Sequence, residues 1–210
     1  IESMPFLEAV RQMRAEEEDE DFTLIHVTLV PIDTMDEQKT KPTQHSVKEL
    51  RELGLQPDII VARCKKALHR STKQKIALFT DVPEEAVISA HDSDDIYKVP
   101  IQLEREGMAE VLMKHMKLVP LEDSHSWNEM VHRLESADKT VTVAILSKYG
   151  IEDVYLSVKE ALKHAGIATG LAPKVALSCS HSASIASRCK PGSYTDAIDS
   201  PILSMEKKLD

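Results

Sequence analysis

The residue types best suited to chemistry in this chain are concentrated in the run Lys39-Thr40-Lys41-Pro42-Thr43-Gln44. Two ammonium groups flank a hydroxyl, and Pro42 fixes the backbone ahead of a helical pattern whose first amides point outward from about Thr43 to Ser46. Ammonium groups, hydroxyls and unpaired helix N–H donors that converge on one spot suit a phosphate chain. The same residues also describe a plain basic surface loop ahead of a capped helix, and residue types alone leave both readings open. Arg63 is a second candidate because it follows the apolar run 58–62, and α/β sheets bind ligands at the carboxyl ends of their strands. Its guanidinium can pair with phosphate oxygens or cap the sheet edge. Taken alone, Lys75 is a solvated helix lysine, and Glu2 is a first-turn acid that complements a helix dipole.

Other chemistries find less support. His26, His45, His115, His125 and His132 show no HxxxH or Cys/His spacing, so no zinc or other metal site is expected. Cys179 and His181 sit two apart and superficially suggest a thiol and its base, yet nothing nearby orients the histidine, and no catalytic residue is assigned. Cys64, Cys179 and Cys189 form neither a CxxC pair nor an even disulfide framework, which fits a reducing, cytoplasmic setting.

The elements that must position these groups follow from apolar periodicity. Phe6, Leu7, Val10 and Met13 recur at helical spacing over residues 5–14, and six consecutive acids at 16–21 then form a solvated turn. Short β-branched runs at 24–31, 58–62 and 86–90 alternate with helices ending at Gly54 and spanning 71–79. That alternation predicts an α/β fold, a parallel sheet covered by helices on both faces. Helices follow at 100–106 and 109–116, with Leu103, Val111, Leu112 and Met116 on the apolar face. After a polar stretch at 119–126, a short helix at 127–134, a strand at 140–146 and a helix at 153–165 open a second unit. Residues 167–210 are rich in Ser, Ala, Pro and Lys, and their weak periodicity predicts no element.

Composition sets the outer limits. The 210 residues are 42% hydrophobic and 29% charged, with a mean hydropathy of -0.26. No apolar run approaches the ~20 residues of a membrane span, and nothing at the start resembles a secretory signal. The net charge of -9 argues against a nucleic-acid surface, so any anionic ligand must meet a local basic site.

The sequence around the basic loop carries a resemblance. Ile1-Glu2-Ser3-Met4-Pro5-Phe6-Leu7-Glu8-Ala9, His26-Val27-Thr28-Leu29-Val30-Pro31 and Glu37 through Leu50 occur in order, followed by Gly54-Leu55-Gln56-Pro57-Asp58, Lys75-Ile76-Ala77-Leu78-Phe79 and Asp95-Ile96-Tyr97-Lys98-Val99-Pro100. Over residues 1–118 these segments resemble the cytidine triphosphate synthases, amidoligases that make CTP from UTP. A fainter resemblance at 141–149 and 157–166 looks like the start of that family's glutaminase domain.

The resemblance implies roles that composition does not supply. It makes Lys39, Thr40, Lys41, Pro42, Thr43, Gln44 and Lys75 the site for UTP, or for CTP as product inhibitor. Ile1 and Glu2 would close the family's DIE triplet, which contacts the inhibitor's base. Arg63, His91, Asp92 and Ser93 would serve ATP, although the family more usually has lysine and a hydrophobic residue at the positions of His91 and Ser93. It implies MgATP, a glutamine or ammonia nitrogen donor, and a homotetramer with the UTP site assembled across subunits. The expected fold is the C-terminal part of a P-loop NTPase-like amidoligase domain (1–118), a linker with a short helix (119–139), the first βα unit of a flavodoxin-like class I glutamine amidotransferase domain (140–170) and a divergent tail (171–210). No GxxxxGK[ST] run occurs, and Cys179 and Cys189 lie in no GxCxG turn. With no methionine at position 1, the expectation is an internal fragment that does not catalyse the full reaction alone. A rival expectation is a non-catalytic remnant that binds UTP, CTP or a complete homologue.

Overall fold

The computed structural model describes residues 3–119, 126–147 and 152–179, which fall into two compact units, Ile1–Asp123 and Ser124–Asp210. In the first unit, strands β1 (Ile25–Leu29), β2 (Ile59–Cys64) and β3 (Val87–His91) form one parallel sheet in the order β1-β2-β3. The register sets Ile25 against Ile59 and Leu29 against Arg63, then Ile60 against Val87 and Cys64 against His91. β2 lies in the centre, and its run Ile59-Ile60-Val61-Ala62 is buried on both faces, as a helix-covered parallel strand requires.

Helices α1 (Met4–Glu16), α2 (Lys41–Glu52), α3 (Arg70–Thr80), α4 (Val99–Arg105) and α5 (Met108–His115) complete this unit. α2 lays Thr43 and Val47 inward, α3 does so with Thr72, Ile76 and Thr80, and Leu103, Met108, Val111 and Leu112 pack against the same core. α1 forms as its periodicity predicts, but buries none of its residues: Phe6 is 74% exposed and Met13 52%. Its tie to the sheet is polar. Arg14 donates to Asp58 at 2.9 Å and to the Gln56 carbonyl at 2.6 Å. Gly54, at φ +80°, ends the α2 segment in the left-handed region that an L side chain adopts only with strain.

The second unit contains α6 (Ser126–Ser136), β4 (Lys139–Ser147), α7 (Leu156–Thr169) and β5 (Leu171–Cys179). β4 and β5 pair in parallel, from Lys139 against Leu171 to Ser147 against Cys179. Two differences from the sequence stand out. The helix expected from 153 begins at Leu156, because Glu152–Tyr155 winds as a tighter 3-10 turn. Residues 171–179, where weak periodicity predicts no element, form β5; a strand that pairs along its whole length needs no apolar alternation of its own to be held. Gly166 makes the α7–β5 approach possible, since a Cβ there would lie 2.5 Å from the Leu171 carbonyl oxygen and 2.6 Å from Pro173 Cδ.

Candidate functional site

The carboxyl ends of β1, β2 and β3 present the connections 30–40, 65–69 and 92–95 along one edge of the sheet, where open α/β sheets place their ligands. The first connection is tightly folded. Asp33 Oδ1 accepts from the Met35 and Glu37 amides at 2.9 Å each, and Lys39 N donates to the Pro31 carbonyl at 2.8 Å. Lys39 Nζ then lies 2.6 Å from Glu37 and 2.9 Å from Asp33. Hydrogen bonds to Glu37 and Asp33 hold the Lys39 ammonium above its ordinary pKa. The Glu37 amide, with Lys39 beside it, holds the Asp33 carboxyl below the usual carboxylate range.

α2 starts earlier than its apolar pattern suggests. Thr40 is the N-cap and Pro42 sits in the first turn, where its missing N–H costs nothing. The first helical bond runs from the Gln44 amide to the Thr40 carbonyl at 3.1 Å. Helix geometry therefore leaves the amides of Lys41 and Thr43 without a partner inside α2, in place of the stretch from Thr43 to Ser46 that the sequence suggests. The hydroxyls face the protein. Thr40 is 4% exposed and accepts from Gln44 Nε2 at 3.0 Å, while the fully buried Thr43 donates to the Leu29 carbonyl at 3.4 Å and accepts from Thr28 at 3.3 Å. Of the six residues in the loop, Lys41 and Pro42 stand most open, Lys39 is held by acids, and Thr40, Thr43 and Gln44 brace the turn. Lys75 lies exposed on α3, which packs beside α2.

A second cluster forms at the ends of β2 and β3. Arg63 reaches across the sheet edge, donating to the Ala90 carbonyl at 2.7 Å, the His91 carbonyl at 3.3 Å and Asp92 Oδ1 at 3.0 Å. Three of the four residues expected at an ATP site are thereby brought together. The fourth, Ser93, turns its hydroxyl to the Asp95 carbonyl at 2.9 Å. Gln102 of α4 hydrogen-bonds His91 Nδ1 and also donates to the His91 carbonyl at 3.2 Å. Sequence reasoning missed Gln102, along with Asp33 and Glu37 as the partners of Lys39. Spacing carries a signal only for the last two, an acid two and six residues before the lysine.

Ile1 and Glu2 lie outside the described residues, as do His125, His181 and Cys189. Cys179 ends β5. Among the described residues no group of three or more His, Cys, Asp or Glu is placed to hold a metal ion, and no helix is long and apolar enough to cross a membrane. A cleft of about 360 Å³ opens at the opposite edge of the sheet, between Gln56, Asp58, Asp81 and Lys114. It lies at the amino ends of β2 and β3, away from both clusters.

Comparison with known proteins places this arrangement. The family described as CTP synthase N-terminus matches residues 1–118, which hold the three-stranded sheet and both clusters. The chain is similar to a CTP synthase of Methanothrix thermoacetophila, 57% identical over 83% of this chain and 33% of that protein. It is also similar to CTP synthases of Archaeoglobus fulgidus (59% identical; 81% of this chain, 32% of that protein) and Methanococcoides burtonii (61%; 81% and 32%). The chain thus spans about a third of the length of these curated relatives. On the match of the sheet-bearing segment to the family, and on relatives so similar across most of its residues, the chain belongs to the CTP synthase family.

Proposed function

We propose that this chain serves the conversion of UTP to CTP, an ATP-dependent amination with glutamine or ammonia as nitrogen donor, by contributing nucleotide-binding edges of the synthetase site. The observation that carries the proposal is geometric: Lys39 and Lys41, with the Lys41 amide at the start of α2, occupy the same carboxyl edge of a parallel sheet as the Arg63–His91–Asp92 cluster. The first group suits the triphosphate of UTP, or of CTP as inhibitor, and the second suits ATP, with Ser93 beside it. Lys75 on the neighbouring helix adds positive charge to the UTP side.

Each group has a distinct task. Lys41 supplies both charge and, through its amide at the helix start, a directed donor to phosphate oxygens. Lys39, fixed between Asp33 and Glu37, presents an ammonium whose position is already set, so a triphosphate competes with two carboxylates for it. Arg63 keeps the guanidinium fork at the end of β3 through its three acceptors. Magnesium, when it accompanies ATP, would be held mainly by the nucleotide's phosphates, because among the described residues no group of three or more His, Cys, Asp or Glu gathers to hold a metal ion. Nor do they contain a P-loop or a glutaminase nucleophile turn; the share of the reaction read for this chain is binding, and a like subunit completes the UTP site in a homotetramer.

Melting of the chain with and without UTP or CTP tests the proposal. Ligand at about 100 times its dissociation constant stabilises the fold by ~2.7 kcal/mol, a shift of several degrees. Replacing both lysines, Lys39→Ala with Lys41→Ala, is expected to abolish the shift while the apo protein still melts cooperatively. A full shift in the double variant would place the phosphates elsewhere.

A further inference from the structure

Between the two clusters lies a buried side chain that neither uses. Gln38, directly before Lys39, is 8% exposed. Its Nε2 donates to the Ala67 carbonyl at 2.8 Å and lies 3.8 Å from Cys64 Sγ, and its Oε1 accepts from the His69 amide at 2.9 Å. Ala67 and His69 belong to the connection between β2 and α3, so one carboxamide joins the loop that leads into α2 to the loop that leads into α3. The second loop is pinned from its far side too, where the Leu68 amide donates to the buried Ser89 Oγ of β3 at 3.0 Å. An exposed pair, Lys66 with Asp36 at 2.7 Å, joins the same two loops at their rim.

Buried polar groups persist where their hydrogen bonds are made, and few side chains other than glutamine could serve a carbonyl and an amide two residues apart at this reach. Removing the carboxamide would leave the Ala67 carbonyl and the His69 amide unpaired and free the residue next to Lys39 from the sheet edge. We infer that Gln38 is a positioning residue: it touches no ligand, but sets the loop carrying Lys39 and Lys41 against the 65–69 connection, so triphosphate affinity depends on it. The inference rests on the reading that Lys39 and Lys41 hold a triphosphate.

UTP titrations of the whole chain, wild type against Gln38→Met and Gln38→Glu, separate positioning from simple support. Methionine keeps the volume and loses both hydrogen bonds; glutamate keeps the acceptor for His69 and turns a second oxygen on the Ala67 carbonyl. A supporting role alone lowers the apo melting midpoint and leaves affinity for UTP unchanged. The positioning role raises the dissociation constant in both variants by about tenfold, or ~1.4 kcal/mol. Wild-type affinity in a folded Gln38→Met or Gln38→Glu chain would overturn it. Should neither variant fold, amide exchange in the wild type decides: UTP is expected to slow exchange at His69, and an unchanged His69 amide at saturating UTP contradicts the coupling. A wild-type chain that binds no UTP removes the underlying reading itself, a result distinct from tight binding that ignores Gln38.

Discussion

An ammonium group held between two carboxylates is a different reagent from a free one. Lys39 is fixed by Asp33 and Glu37, whereas Lys41 is exposed, so two neighbouring lysines of one loop would meet a phosphate from different starting points. A second residue of interest lies behind them. His26 on β1 is half-buried and bonded to Ser46 of α2 at 2.8 Å, and burial pushes its imidazole below the ordinary value of 6.5. Its folded pKa is the lower one, so its contribution to stability is complete above about pH 6.5 and is lost as pH falls through the folded value. The melting midpoint of the wild type should therefore fall more between pH 7 and pH 5 than that of His26→Gln; equal pH dependence would show that folding does not lower the pKa of this imidazole. The loop of 39–44 was legible in the sequence because its residue types and order are local facts. The inward turn of Thr43 and the pairing of Lys39 were not, because both depend on how α2 lies over β1 and how 31–38 folds back.

At the scale of elements, β2 was readable because a strand buried on both faces must be continuously apolar, and Ile59 to Ala62 is. The start of α2 was less readable. Apolar periodicity begins only at Val47, while the helix begins at Lys41, where Thr40 and Pro42 rather than hydrophobic spacing mark the end. That difference moves the amides without a partner inside the helix onto Lys41 and Thr43, of which only Lys41 is exposed. β5 left no mark of its own, since its pairing with β4 supplies the order that its composition does not. The α7–β5 contact gives the prediction at this scale. Gly166→Ala would push a methyl against the Leu171 carbonyl, a backbone atom that cannot swing aside. It should cost about 1–3 kcal/mol, read as faster amide exchange over 156–179 with the first unit unchanged. Unaltered exchange there would mean that the two elements separate at little cost.

Across the whole molecule, an acidic protein of net charge -9 is read as binding a polyanion. Its overall field opposes a triphosphate, so the interaction must be local and geometric, with ammonium groups and helix amides converging at one sheet edge. That edge lies within residues 1–118, the part matched to the CTP synthase N-terminus. The measurement that tests this most directly is a crystal structure of the chain with UTP bound. The account predicts triphosphate oxygens within about 3 Å of Lys41 Nζ and of the Lys41 amide, with Lys39 drawn to them from Asp33 and Glu37. UTP bound elsewhere, with Lys39 still held by both carboxylates and the start of α2 untouched, would contradict it.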